Sequence, residues 1–230
     1  MPLRSITPTP RIDILLPAKE RFSPSNAGAI SGVVRDLARA SKATKQFRVI
    51  GTNVETSLMP DHFTGLMPKR RWLNGNNIGL AAAYLDLIHK TGAPDLTEVH
   101  SRCHVAHYLV QKLPSLNVTL YLHNDPRKMK GGRSVNERRY LLKTLAGIIC
   151  VSDYIRNCFL DGLGDVGDLM SKIGVARNGA NRWLKKPAVK ENIILLAGRM
   201  VPEKGILECA TAIVKVLQDH FLLYSKYLSD

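Results

Sequence analysis

An α/β fold of the doubly wound, Rossmann-like kind is predicted by three features of the 230-residue sequence. Short apolar runs recur along it, amphipathic helical stretches separate them, and each separation is long enough for a crossover. Parallel strands need such crossovers, and right-handed ones place helices on both faces of the sheet. The chain is 45% hydrophobic and 23% charged, values of a folded protein large enough for one domain and part of another.

The elements follow in order. RIDILLP is a strand with Ile12, Ile14 and Leu16 on one side and Leu15 on the other. After the loop AKERFSPSNAG, Ile30, Val33, Val34, Leu37 and Ala38 fall on one helical face. FRVIGT is a second strand. Asn53 to Asn77, rich in Pro, Gly and Asn, reads as an irregular insertion, and helical spacing resumes over residues 78–90. PDLTEVHS is a strand, and HVAHYLVQKL is a helix closed by Pro114. NVTLYLHND alternates, with Val118, Leu120 and Leu122 opposite Thr119 and Tyr121. Ser134 and Glu137 have the spacing of a capping box, which opens a helix running to about Leu145. GIICVS is a buried strand, DYIRNCFLDGL a helix, and KIGVARNG a strand ending in an Asn-Gly turn.

The first domain spans residues 1–184. Residues 185–230 form a linker, the strand Ile193 to Ala197, and a helix with Leu207, Ala210, Val214 and Leu217 on one face. This is the start of a second Rossmann-like domain that is incomplete. One strand and one helix cannot bury a core, so self-association or local disorder is expected after about residue 187. Cys103, Cys150, Cys158 and Cys209 lack C-x-x-C spacing and read as reduced thiols. No apolar run is long enough to span a bilayer, and no secretory signal opens the chain, which suits a cytoplasmic location.

The formal charge is +14, and most of the excess lies in the first 183 residues. Such a field attracts phosphorylated substrates, anionic lipid or nucleic acid. The run Arg127, Lys128, Lys130 and Arg133, with Arg138, Arg139 and Lys143 after it, is expected either to be a solvated face or to dock on an anionic membrane. It has few aromatics for base stacking, so no specific nucleic acid partner is expected.

Three loops have the composition for anions. Ser23 to Gly28 precedes the first helix, where Gly28 allows close approach to free N–H groups. Arg199, Glu203 and Lys204 lie between a strand and a helix start, where an anion would offset cations that oppose the helix dipole. Asn178-Gly179 ends a strand and by itself marks only a turn. His100, Cys103, His104 and His107 form an H-x-x-C-H-x-x-H set, but their elements do not ensure convergence and no metal site is expected. There is no G-x-G-x-x-G, P-loop or nucleophile elbow.

Taken in order, GIICVSDYIRNCF, KIGVARNGAN and NIILLAGRMVPEKGILECATAIVKVL resemble glycosyltransferase family 4, the retaining enzymes of the GT-B fold. The resemblance implies that the first domain is the GT-B acceptor-side domain and that the second opens the donor domain. It implies a nucleotide diphosphate sugar as donor substrate, with no cofactor or metal. Arg199 and Lys204 would hold its diphosphate, with Gly28 in the loop that closes over it. His123 would be the catalytic histidine beside the transferred sugar. Ser152, Asn178, Gly179 and Glu203 would lie at the donor cleft. A hexose would pass to a saccharide or lipid-linked acceptor in lipopolysaccharide or envelope polysaccharide assembly, at the inner face of a membrane. Related enzymes carry two Glu separated by seven residues later in the donor domain, and no such pair occurs here. A non-catalytic acceptor-side remnant that binds phosphorylated saccharide or anionic lipid is therefore the second expectation.

Overall fold

A computed structural model describes residues 10–41, 46–69, 75–179, 196, 198 and 200–227, with side chains described as far as residue 218. The chain divides into two units, Met1–Asn181 and Arg182–Asp230.

The first unit is built on a seven-stranded sheet: β1 (Ile12–Leu15), β2 (Phe47–Thr52), β3 (Phe63–Leu66), β4 (Leu96–His100), β5 (Val118–Leu122), β6 (Gly147–Cys150) and β7 (Ile173–Val175). The strand order is β3-β2-β1-β4-β5-β6-β7, and every neighbouring pair is parallel. Helices α1 (Ala29–Ala40), α2 (Gly75–Thr91), α3 (Cys103–Lys112), α4 (Val135–Thr144) and α5 (Asp153–Leu160) are the crossovers. This is the expected Rossmann-like α/β fold. Chain order runs outward in both directions from the β1–β4 boundary, which makes that boundary the topological switch point.

Burial on both faces explains the apolar runs. All five residues of β5 are buried, so its alternation separates two covered faces. On one side Val34 and Ala38 of α1 pack with Leu16, Phe22, Phe47 and Val49. A larger cluster joins β1, β4, β5 and β6 to α2 through α5. The Ser134–Glu137 capping box is present in both directions and starts α4.

One expectation needs correction. The stretch Asn53 to Asn77 is not all irregular: Phe63–Leu66 forms β3, pairing with β2 from Val49↔Phe63 to Thr52↔Leu66. All four residues of this edge strand are half-buried, so it lacks the alternation that marks a strand with one buried face.

β1 carries a polar group into the core. Asp13, on the same face as Leu15, is fully buried. It accepts from Arg48 Nε at 3.0 Å and Nη2 at 2.6 Å, and from Tyr84 Oη at 3.0 Å. Tyr84 Oη in turn lies 2.8 Å from Thr97 Oγ1. Burial first, then the Asp13 charge, push the Tyr84 hydroxyl far above its ordinary pKa. These residues sit near the amino ends of β1, β2 and β4, so the network ties the sheet together at the end away from the loops.

Much of the positive charge serves the backbone. Arg138 is 2% exposed and donates to the carbonyl oxygens of Phe159, Gly132, Arg133 and Asp161. Lys172 Nζ donates to Leu142, Lys143 and Leu145 at the carboxyl end of α4. Arg11 reaches Thr91 and Gly92 at the end of α2. Lys172, Arg11 and, through Phe159 and Asp161, Arg138 sit where a helix leaves carbonyls unpaired and its dipole is negative.

In the second unit, α6 (Ile206–Tyr227) follows the short helical turn Pro202–Lys204. Gly205 joins the two with φ +61°, a left-handed conformation suited to glycine. Leu207, Val214 and Leu217, the expected apolar face, are exposed. Apart from Leu196, which is exposed, the expected strand Ile193 to Ala197 lies outside the described residues, as do the linker and Arg199.

Candidate functional site

The carboxyl ends of parallel strands gather loops and helix starts, and here they gather the chemistry-bearing side chains of the first unit. β4 ends in Glu98-Val-His100, and β5 in Tyr121-Leu122, with His123 directly after it. The β4–β5 register sets His100 beside Tyr121. Residues two apart share a face of a strand, so Glu98, His100, Tyr121 and His123 all come to one side.

His100 Nε2 lies 2.7 Å from Glu98 Oε1, and His100 Nδ1 lies 2.9 Å from His123 Nε2. The Tyr121 ring stacks on His100 at 4.9 Å and on His123 at 4.9 Å. Tyr121 Oη donates to the Ala176 carbonyl at 3.2 Å, which anchors the stack to the chain after β7. His100 is fully buried, while His123 is half-buried at the rim. Burial first, and then His100, lower the His123 pKa to about 4. His123 is therefore an uncharged imidazole at neutral pH, suited to accept or donate a hydrogen bond.

Ser101 follows His100 with φ 50°, a left-handed conformation uncommon outside glycine. Its N–H donates to Tyr121 O at 2.8 Å, and Arg102 Nη1 donates to its carbonyl at 2.7 Å. These bonds hold the strained turn beside the histidines.

The depressed His123 pKa has a measurable consequence. The folded protein binds fewer protons than the unfolded chain between the ordinary value of 6.5 and about 4. Stability is accordingly lost as pH falls through that window, by about 1–2 kcal/mol once the ring's partial exposure is allowed for. Urea midpoints at about pH 7 and about pH 4.5 are expected to differ less in His123→Asn than in the wild type. Equal differences in the two proteins would show that the ring titrates as it does in water.

The loops after β1 and β2 form a second feature. Arg21, Ser23, Ser25, Asn26, Asn53 and Glu55 line an open polar cavity of about 240 Å³. Arg21 Nη1 donates to the Asn53 carbonyl at 3.2 Å and bridges the two loops. Hydroxyl, amide, guanidinium and carboxylate groups in one basin are the donors and acceptors that polyols satisfy.

Gly28 lies directly before α1, as expected, but the anion beside it belongs to this chain. Glu20 Oε1 accepts from the Ser31 N–H at 3.1 Å. A Cβ at residue 28 would overlap the Glu20 carboxylate, so glycine is what permits this close approach. Ser152 caps α5, its side chain accepting from the Ile155 N–H. Asn178 and Gly179 are exposed, and Gly179 does not have a positive φ. Glu203 and Lys204 are exposed within the turn before α6, in the other unit.

The H-x-x-C-H-x-x-H residues part company. His100 joins Glu98 and His123, whereas the His107 ring lies 4.4 Å from Tyr140. Among the described residues no three His, Cys, Asp or Glu side chains are grouped to hold a metal ion. Cys103, Cys150 and Cys158 are buried free thiols, and burial pushes the first two up to about 12.

Comparison with known proteins adds only distant likeness. No family model matches the chain, and no curated protein does. Among solved structures, Anabaena HepE in complex with UDP overlaps with a TM-score of 0.48 and 14% identity, covering 74% of this chain and 44% of that one. HepE in complex with UDP-glucose gives 0.47 and 11%, with the same coverage. UDP-N-acetylglucosamine 2-epimerase from Rickettsia bellii gives 0.46 and 8%, covering 74% of this chain and 45% of that one. The overlaps thus span less than half of each of those proteins.

The family resemblance singled out His123 but not its partners. Glu98 and Tyr121 carry no motif, and His100 stood in a different grouping. The available signal was the repeated x-H ending of two successive strands, each with a polar or aromatic residue two positions earlier.

Proposed function

We propose that this chain has the acceptor-side domain and the opening of the donor domain of a retaining sugar-transfer enzyme of the glycosyltransferase family 4 type. The observation that carries the reading is His123: an uncharged imidazole, backed by His100, at the carboxyl end of a central strand. The polar basin after β1 and β2 suits a saccharide acceptor. The ordered sequence set around Ser152, Asn178, Gly179, Glu203 and Lys204 supports the family assignment.

In this reading a nucleotide diphosphate sugar is the donor. Arg199 and Lys204 offset charge that grows on the leaving diphosphate, so no metal or cofactor is required for that step. Gly28 belongs to the loop that closes over phosphate and acceptor. His123 contacts a hydroxyl of the transferred hexose and orients it. The acceptor is a saccharide or lipid-linked saccharide of lipopolysaccharide or envelope polysaccharide assembly.

Membrane docking belongs to the same proposal. Among the described residues no helix is long and apolar enough to cross a membrane. Arg127 is engaged by Asp125 and Asp161, and Arg138 is buried. Lys128, Lys130, Arg133 and Lys143 remain exposed and are the cations that would meet anionic lipid.

The second reading is an acceptor-side remnant without turnover. It is favoured by Glu20, whose carboxylate already fills the start of α1. Nucleotide release from UDP-, GDP- and ADP-hexoses separates the two. Turnover that falls about 100-fold in His123→Ala is expected for the enzyme. Binding of phosphorylated saccharide without release of nucleotide would establish the remnant.

A further inference from the structure

We propose that Glu98 and His100 are positioning residues that hold His123 with its proton on Nε2, so that a bare Nδ1 is the acceptor offered to a substrate hydroxyl. Which hydroxyl reaches that nitrogen rests on the sugar-transfer reading above, whereas the place of the proton does not.

The argument is one of donors and acceptors. An ionised carboxylate has only lone pairs to offer, so the contact between Glu98 Oε1 and His100 Nε2 at 2.7 Å requires a proton on that nitrogen. The His100 side chain is fully buried, and a neutral imidazole carries that one proton and no other. Its Nδ1 then has a lone pair. The contact at 2.9 Å to His123 Nε2 is a hydrogen bond only if His123 donates. One proton per ring thus sets the tautomer of the second histidine from a carboxylate two links away.

The surroundings keep the chain of bonds in line. Glu98 and His100 are two residues apart on one strand, so the pleat fixes their separation. Tyr121 stacks on both imidazoles, with interplanar angles of 7° to His100 and 19° to His123. Its own hydroxyl is committed to the Ala176 carbonyl, so it acts here as a wall that limits ring rotation. The half-buried His123 is the only one of the two histidines with a solvent-facing surface, and its remaining nitrogen is the one the relay leaves without a proton.

The test is made on the full chain labelled with ¹⁵N-histidine, by long-range ¹H–¹⁵N correlation at neutral pH without ligand. His123 is expected to show a proton on Nε2 that exchanges slowly enough to be observed, and an unprotonated Nδ1. Glu98→Ala is expected to reduce the Nε2–H to Nδ1–H ratio of His123 several-fold. His100→Phe, which keeps a ring in the stack but removes the acceptor, is expected to abolish the slowly exchanging signal. A wild-type His123 protonated on Nδ1 overturns the proposal, and that spectrum decides even if both variants fail to fold. Folded variants with an unchanged His123 spectrum overturn it as well. Failure of the sugar-transfer reading would register separately, as absent nucleotide release with the tautomer intact.

Discussion

Arg138→Met is expected to lower the stability of the first unit by about 4 kcal/mol, read as a fall of about 10 °C in the calorimetric Tm. Arg138 is 2% exposed, and among the described residues no carboxylate forms an ion pair with it. It is held by the carbonyls of Gly132 and Arg133 on one side and of Phe159 and Asp161 on the other. Phe159 and Asp161 lie at the carboxyl end of α5, where the dipole favours a cation and the turn that follows gives the Leu163 N–H to Leu160. Methionine fills much of the volume and leaves those oxygens buried without donors. Arg138→Lys is expected to recover less than half of the loss, because one ammonium cannot reproduce a planar fork. A Tm change within 2 °C or so for Arg138→Met would show that water replaces the guanidinium at little cost.

Arg48→Met is expected to cost about 3 kcal/mol, because it leaves the Asp13 carboxylate buried and without its counter-charge. Asp13 is fully buried, and Arg48 is 22% exposed at its side chain. The Tyr84 hydroxyl would remain as a neutral donor to Asp13. A lower urea midpoint with an unchanged slope is the signature of lost stability in an unaltered fold. Adding Asp13→Leu to Arg48→Met should restore most of the loss, since the penalty comes from the unpaired charge rather than from the missing pair. A double variant as unstable as Arg48→Met alone would place the cost in packing around the aliphatic stem of Arg48.

These two arginines show why a count of charges misleads. The +14 charge suggested a field waiting for an anionic partner. In the structure Arg138, Lys172 and Arg11 are committed to carbonyls at helix ends, Arg48 to Asp13, and Arg127 to two aspartates. Among the described residues of that basic run, Lys128, Lys130, Arg133 and Lys143 remain exposed.

The order and kind of nearly all elements in the first unit are legible along the chain. Helical spacing, the Ser134 capping box and the apolar strand runs are local properties, read from residues within a turn or two of each other. His123 was marked by the resemblance to glycosyltransferase family 4, not by periodicity. Periodicity missed β3, whose four half-buried residues at a sheet edge carry no strong pattern. Only tertiary structure decided that His100 belongs with His123 rather than with His104 and His107. That choice depends on the pairing of His100 with Tyr121 across β4 and β5, and a shift of one residue would turn every side chain to the opposite face. Tertiary structure likewise put the Glu20 carboxylate against Gly28, an approach between a loop and a helix start that no spacing along the chain prescribes. Periodicity reports which face a residue takes, and long-range register and loop path decide what that face meets.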